Sequence, residues 1–266
     1  MRSKLIGLDK EQIIRLHQQG QSPGKIAKAF ELEYKVIYRY LIKTRTYINR
    51  DPQCFMRKYH VNNNFFDKID TESKAYWLGL FVADGCVDRR RGSISITLHM
   101  RDTKHLQQLS KDLDSNHPIK LNEKDQCNRI TIDSKQLKIA LANHGVYPNK
   151  TFNINWPTGI PFTLEKHFIR GVFDGDGSFY IDKNNQVEFS ITGNESFLDT
   201  IQNKLVVACD LNKTKFRRRE RTKAVNLCYV GNRQVRRIFS YLWDNTTLYL
   251  PRKYNKVHDV LFPVSS

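Results

Sequence analysis

Two aspartates stand in closely matched surroundings. Asp84 ends the apolar run of YWLGLFVADGCV (76–87), and Asp176 ends that of FIRGVFDGDGSFYI (168–181). The segments align without a gap, pairing Gly79 with Gly171, Ala83 with Gly175, Asp84 with Asp176 and Gly85 with Gly177. One Asp-Gly is a turn; a duplicated pair, each closing a helix-like run, is a candidate for chemistry. Two carboxylates ~4 Å apart repel by on the order of 4 kcal/mol at an effective dielectric near 20. A helix C-terminus, itself negative, adds to that repulsion. A divalent cation reverses the sign, and hard carboxylate oxygens with few other ligands suit Mg²⁺, with Mn²⁺ as a substitute. Held between paired acids and phosphates, such an ion supports in-line hydrolysis of a phosphodiester.

The elements around the acids must bring them together. Glycine inside a helix costs roughly 1 kcal/mol against alanine, yet Gly79 and Ala83, like Gly171 and Gly175, put small residues four apart on one helix face. Two helices packed along that face approach far closer than larger side chains allow, which offsets the cost. Gly85 and Gly177 are expected in the left-handed conformation that ends a helix. After each motif come alternating strands (SISITL, QVEFSIT), a helical pattern, further strands (NRITI, VNLCYV) and a last helix. The expected fold is α+β: two pseudo-twofold αββαββα halves over 66–155 and 156–266, preceded by a small all-α module.

The chain of 266 residues carries a net charge of +17, well beyond the about +2 to +8 that solubility asks of a small domain. A polyanionic partner, nucleic acid first, is implied. In KTKFRRRERTK, Lys213, Lys215, Arg217, Arg219, Arg221 and Lys223 recur at every second position, and period two places them on one face of a strand. The same alternation turns outward Ser93, Ser95, Thr97, Lys120, Asn122 and Lys124 in the first half. In the second it selects Ser178, Tyr180, Asp182, Glu188 and Ser190. Mixed polar side chains read base edges, and Lys and Arg hold phosphates. Five scattered cysteines without a CxxC pair argue against zinc and disulfides. With no apolar run long enough for a membrane and no leader-like start, a cytoplasmic setting is expected.

Residues 1–45 form a separate unit in this reading, joined by a linker at 46–65. Ser22-Pro23 starts a helix, IAKAFELEYKVIYRYL resembles a helix-turn-helix core, and 13 Lys and Arg stand against 5 Asp and Glu in residues 1–60. Helix 34–42 would enter the major groove with Tyr34, Lys35, Tyr38 and Arg39 outward. Glu31 occupies a turn position where glycine is common.

WLGLFVADG and IRGVFDGDG resemble the two motifs of the single-chain LAGLIDADG homing endonucleases, and the likeness runs from about residue 65 to 262. The resemblance implies a monomeric saddle over duplex DNA that cuts both strands at a long specific site. It implies Asp84 and Asp176 as metal ligands, with Gly85 and Gly177 in the metal shell. A basic residue near the end of each half, Lys150 in YPNKT and Lys253 in LPRKY, would polarise the phosphate or activate water. The first motif departs from the pattern at Val82, where Asp174 stands in the second, and opens on a bulkier Trp77. Alternatives on the same scaffold are a non-catalytic DNA-binding regulator and an intron RNA maturase.

Overall fold

A computed structural model describes residues 10–47, 58–148, 154–218 and 223–263. The chain divides into two compact units, Met1–Tyr59 and His60–Ser266.

The described residues of the first unit hold three helices, α1 (Lys10–Gln18), α2 (Pro23–Ala29) and α3 (Tyr34–Lys43). Ser22 caps α2, its Oγ accepting Lys25 N at 3.3 Å, and Pro23 takes the first turn, where its missing N–H costs nothing. Ile13, Ile26, Ala27, Ile37 and Leu41 make a small core. Glu31 has φ 55°, the left-handed turn that glycine would adopt without strain.

In the second unit, α4 (Glu72–Ala83) leads into β1 (Gly85–Val87), β2 (Ser93–His99), α5 (Thr103–Asp112), β3 (Ile119–Asn122), β4 (Cys127–Asp133) and α6 (Lys135–Asn143). The order repeats as α7 (Glu165–Asp176), β5 (Gly177–Ile181), β6 (Val187–Gly193), α8 (Glu195–Cys209), β7 (Arg217–Arg218), β8 (Val225–Val230) and α9 (Asn232–Trp243). A last helix, α10 (Pro251–Leu261), follows. Each half is thus αββαββα, as the sequence predicts. The antiparallel sheets run β1-β2-β4-β3 and β5-β6-β8-β7. Their registers match residue for residue: Gly85 faces Ile96 as Gly177 faces Ile191, Thr97 faces Arg129 as Thr192 faces Asn226, and Lys120 faces Arg129 as Arg217 faces Asn226.

Alternation decides what each sheet buries. Ile94, Ile96, Ile130 and Ile132 point inward in one half, and Phe179, Phe189, Ile191 and Leu227 in the other. Both sets join one core around α4 and α7, with Phe173 stacked on Phe189 at 4.7 Å. Helix α4 is apolar on every side and buried from Ala75 to Val82, as a central helix must be. Trp77 fits this packing, and its Nε1 donates to Asp112 Oδ2 at 2.6 Å. The expected linker is shorter than 46–65. Phe65 is buried in this core, and Asn62 N and His60 N donate to Leu113 O and Asn116 Oδ1.

Candidate active site and nucleic-acid interface

Helices α4 and α7 cross in backbone contact. A Cβ built on Gly79 would fall on the Phe168 carbonyl oxygen and lie 2.9 Å from Val172 N. One on Gly171 would fall on the Tyr76 carbonyl oxygen and lie 2.9 Å from Leu80 N. One turn further, a Cβ on Gly175 would overlap the Ala83 methyl and approach Asp84 Oδ2 to 3.3 Å. The Asp84 carboxylate therefore lies against the last turn of α7, at the residue preceding Asp176. Both acids are solvent-exposed at the ends of buried helices.

Gly85 and Gly177 correct one expectation. Neither has positive φ, and Gly177 is extended at φ −97°, ψ 163°. Glycine is required because the first strand residue folds back on the helix it leaves. A Cβ on Gly85 would meet the Phe81 carbonyl oxygen at 2.5 Å, and one on Gly177 the Phe173 oxygen at 2.7 Å. The Gly177 carbonyl, expected in a metal shell, instead accepts from Lys253 Nζ at 2.5 Å.

Lys253 has a different role from the one expected. Its buried ammonium donates to the carbonyls of Phe173 and Asp174, both at 2.8 Å, and of Gly175 at 3.4 Å, besides Gly177. The first three belong to the last turn of α7, where a helix runs out of intrahelical donors, although Phe173 O also accepts from Gly177 N. Four acceptors saturate three N–H donors, so the lysine clamps the helix end rather than reaching a water. Burial pulls its pKa down to about 8, opposed by the carboxylates of Asp174, Asp84 and Asp176. A cation is thus built in under the two acids. Lys150 lies outside the described residues.

Asp174 is buried beside this clamp. Its Oδ2 accepts from Tyr76 Oη at 2.7 Å and from Leu250 N at 2.8 Å, holding the start of α10 against α7. Burial raises its pKa to about 6. His105 Nε2 lies 2.7 Å from Tyr76 Oη, and burial lowers its pKa to about 4; because the one Tyr76 hydroxyl proton goes to Asp174, the neutral imidazole donates in the tautomer that completes this chain. In the first half Val82 fills the equivalent place with a methyl-lined contact.

The sheet faces turned from the core carry the expected polar rows, with exceptions. Thr97, Lys120 and Asn122 are exposed, as are Ser178 and Tyr180. Ser93 and Ser95 are only 5% and 4% exposed. Ser95 lies under Arg129, whose Nη2 donates to its Oγ at 2.7 Å. Lys124 stands in the turn after β3 rather than on a strand. Asp182 is also a turn residue, its Oδ1 accepting Asn184 N and Gln186 N at 2.8 Å. Ser178 and Ser190 bond to each other at 3.0 Å, and Glu188 takes the Arg217 guanidinium at 2.8 Å.

The basic strand is shorter than its alternation suggests. Lys213, Lys215, Arg217 and Lys223 are exposed while Thr214 and Phe216 turn inward, but only Arg217–Arg218 form a strand. Arg219 and Arg221 lie outside the described residues. Arg129 and Thr131 were missed, although the alternation of CNRITID that buries Ile130 and Ile132 turns both outward. In the first unit Lys35 and Arg39 are exposed, and Tyr38 is half-buried between Tyr34 and Tyr47.

Residues 71–143 match the model of the LAGLIDADG-like domain, and residues 165–227 that of the WhiA LAGLIDADG-like domain. Between them the matches span just over half of the chain. The chain belongs to the LAGLIDADG family. Among solved structures, the fold is shared with the I-LtrWI LAGLIDADG homing endonuclease bound to target DNA. That likeness has 11% identity and a TM-score of 0.50, and covers 75% of this chain and 90% of that one. The I-SmaMI LAGLIDADG homing endonuclease bound to cleaved DNA is similar at 12% identity and a TM-score of 0.49, covering 73% and 88%. No curated protein sequence matches. The LAGLIDADG motifs are thus the two helices whose ends carry Asp84 and Asp176. Among the described residues, no helix is long and apolar enough to cross a membrane.

Proposed function

We propose that this LAGLIDADG protein is a site-specific double-strand DNA endonuclease that uses Mg²⁺. The observation carrying the proposal is the abutting pair of motif ends, where the exposed Asp84 carboxylate lies against Gly175, the residue before the exposed Asp176, and the buried Lys253 binds the carbonyls of the second end.

The donor set fits the metal. Among the described residues no group of three His, Cys, Asp or Glu side chains is placed to hold a metal ion, and the candidate donors are two carboxylates. Mg²⁺ is commonly bound through one or two carboxylates with water and substrate phosphates completing its shell. Asp84 and Asp176 would hold it, and when bound it supplies Lewis-acid stabilisation of the pentavalent phosphate and a water of lowered pKa. The chain's own residues do the rest. The glycine contact fixes the spacing of the acids. Lys253 holds the last turn of α7 rigid and offsets its negative end, and the outward strand rows position duplex DNA across both sheets.

Selecting cleaved sites from a randomised duplex library tests the reading. Mg²⁺-dependent double-strand cuts at one sequence are expected, abolished by chelation and restored by Mg²⁺ or Mn²⁺. Sequence-specific binding without any cut would favour a second reading, a non-catalytic regulator. The match of residues 165–227 to the WhiA domain and the basic N-terminal helices support that alternative. Preferential binding of intron RNA over duplex would instead favour the maturase.

A further inference from the structure

The hairpin tips at the far ends of β1 and β5 are each built on an aspartate that accepts backbone N–H groups, but they display different side chains. In the first half Asp88 makes the turn, its Oδ1 accepting Arg90 N at 2.8 Å and Arg91 N at 2.6 Å. These bonds hold its carboxyl below the usual range. In the second half Asp182 makes a related turn, its Oδ1 accepting from Asn184 N and, one residue further along, Gln186 N. Each turn is also tied to the helix that closes its half's αββαββα order. Lys138 Nζ on α6 donates to the carbonyls of Asp88 at 2.6 Å and Arg91 at 3.0 Å. Asn232 on α9 donates to Asn185 O at 3.0 Å and accepts from Val187 N at 2.9 Å.

What the turns display differs. The first exposes Arg89, Arg90 and Arg91. Lys135 lies close by, its Cγ 2.5 Å from where a Cβ on Gly92 would stand. The brace itself, Lys138, is a cation. The single charge of the Asp88 carboxylate cannot neutralise three guanidinium groups, and its Oδ1 is turned to the backbone N–H groups of Arg90 and Arg91. Cations that served only solubility would gain nothing from being fixed close together, where they repel. A pre-formed cationic tip suits a polyanion, since the ordering cost is met before binding. The second turn exposes Lys183, Asn184 and Asn185, with a neutral brace. Asparagine amides pair with base edges, adenine above all.

Building on the DNA-cleaving reading above, we infer that the two tips divide the work of holding the target. The arginine tip 89–91 clamps duplex phosphates of one half-site whatever their sequence, and the asparagine tip 183–185 reads bases at the outer edge of the other.

Salt titration of binding, on the full chain with Ca²⁺ in place of Mg²⁺, tests this. The probes are the duplex recovered by library selection, versions altered at its outer positions, and a single-stranded RNA of equal length. Each phosphate contact contributes roughly 0.9 to the slope of log K against log salt. Replacing all three arginines (R89Q/R90Q/R91Q) should lower the slope by about two to three while leaving the ratio between selected and altered duplexes unchanged. N184S/N185G, in which glycine suits the φ of 56° at Asn185, should keep the slope. It should reduce discrimination at one outer edge by roughly ten- to a hundredfold. An unchanged slope in the arginine variant, or loss of its sequence preference, would overturn the division, as would a slope change seen with RNA alone. Failure of the unsubstituted chain to bind any selected duplex would instead defeat the endonuclease reading itself.

Discussion

The two halves share register, strand order and helix crossing, yet they differ around their acids. Asp176 ends a helix whose last carbonyls are clamped by Lys253 and whose interior holds the ionisable Asp174. Asp84 ends a helix with Val82 at the place of Asp174, buried among apolar neighbours. The contrast teaches that the crossing and the site answer to different constraints. Backbone contact tolerates no change at Gly79 or Gly171, so both copies keep it. The groups beneath the acids need only supply a firm helix end, and one copy does so with polar bonds where the other uses packing at this position.

Lys253 is where the comparison breaks most sharply. Lys253→Met would take the ammonium donor from four carbonyls of the second motif, of which Phe173 O keeps Gly177 N, and remove the buried cation. We expect cleavage to fall on the order of a hundredfold with a loss of roughly 2–3 kcal/mol in stability. Cleavage rates and denaturant unfolding on one preparation check both. Gly79→Ala and Gly171→Ala should be equally damaging, at about 1–3 kcal/mol each, because each methyl meets a carbonyl of the partner helix. Unequal losses in urea melts would show the halves to be less alike than their backbones.

Asp174 separates the halves by pH. Its folded pKa of about 6 lies above the usual 3.8, so it contributes stability that is present below pH 4 and lost as pH rises through about 6. That loss is on the order of 3 kcal/mol. Asp174→Asn should flatten the stability profile in this window, as thermal melts across pH 4–7 would show. Lys253, with its folded pKa near 8, has the opposite sign: its burial penalty is full below pH 8 and fades as pH rises toward 10.5. The smallest expected effect is at the N-terminus. Removing residues 1–45 should weaken binding to a selected duplex by about tenfold and leave the Mg²⁺ requirement unaltered, measured by gel shift and cleavage. Unchanged affinity would count against a helix-turn-helix role.

Much of this was legible in the sequence because duplication doubles the signal. Gly79 and Gly171, Asp84 and Asp176, and the alternation of SISITL and QVEFSIT each appear twice, so the halves and their crossing could be read without coordinates. Residues acting once or across distance could not. Lys253 reaches back to carbonyls some eighty positions earlier, and no local pattern distinguishes a helix clamp from a surface lysine. Ser95 follows the outward alternation faithfully yet is covered, with Arg129 from a neighbouring strand bonded to its hydroxyl. Gly85 and Gly177 were recognised as special, but close approach and a left-handed turn both call for glycine, and sequence does not tell them apart.

Single-turnover cleavage of a selected duplex by Asp84→Asn and Asp176→Asn, alongside binding by the same proteins, addresses the paired-acid site most directly. Each variant should bind within about threefold of the original and lose double-strand cleavage by on the order of a hundred- to a thousandfold. Double-strand cleavage at the original rate in both would contradict it.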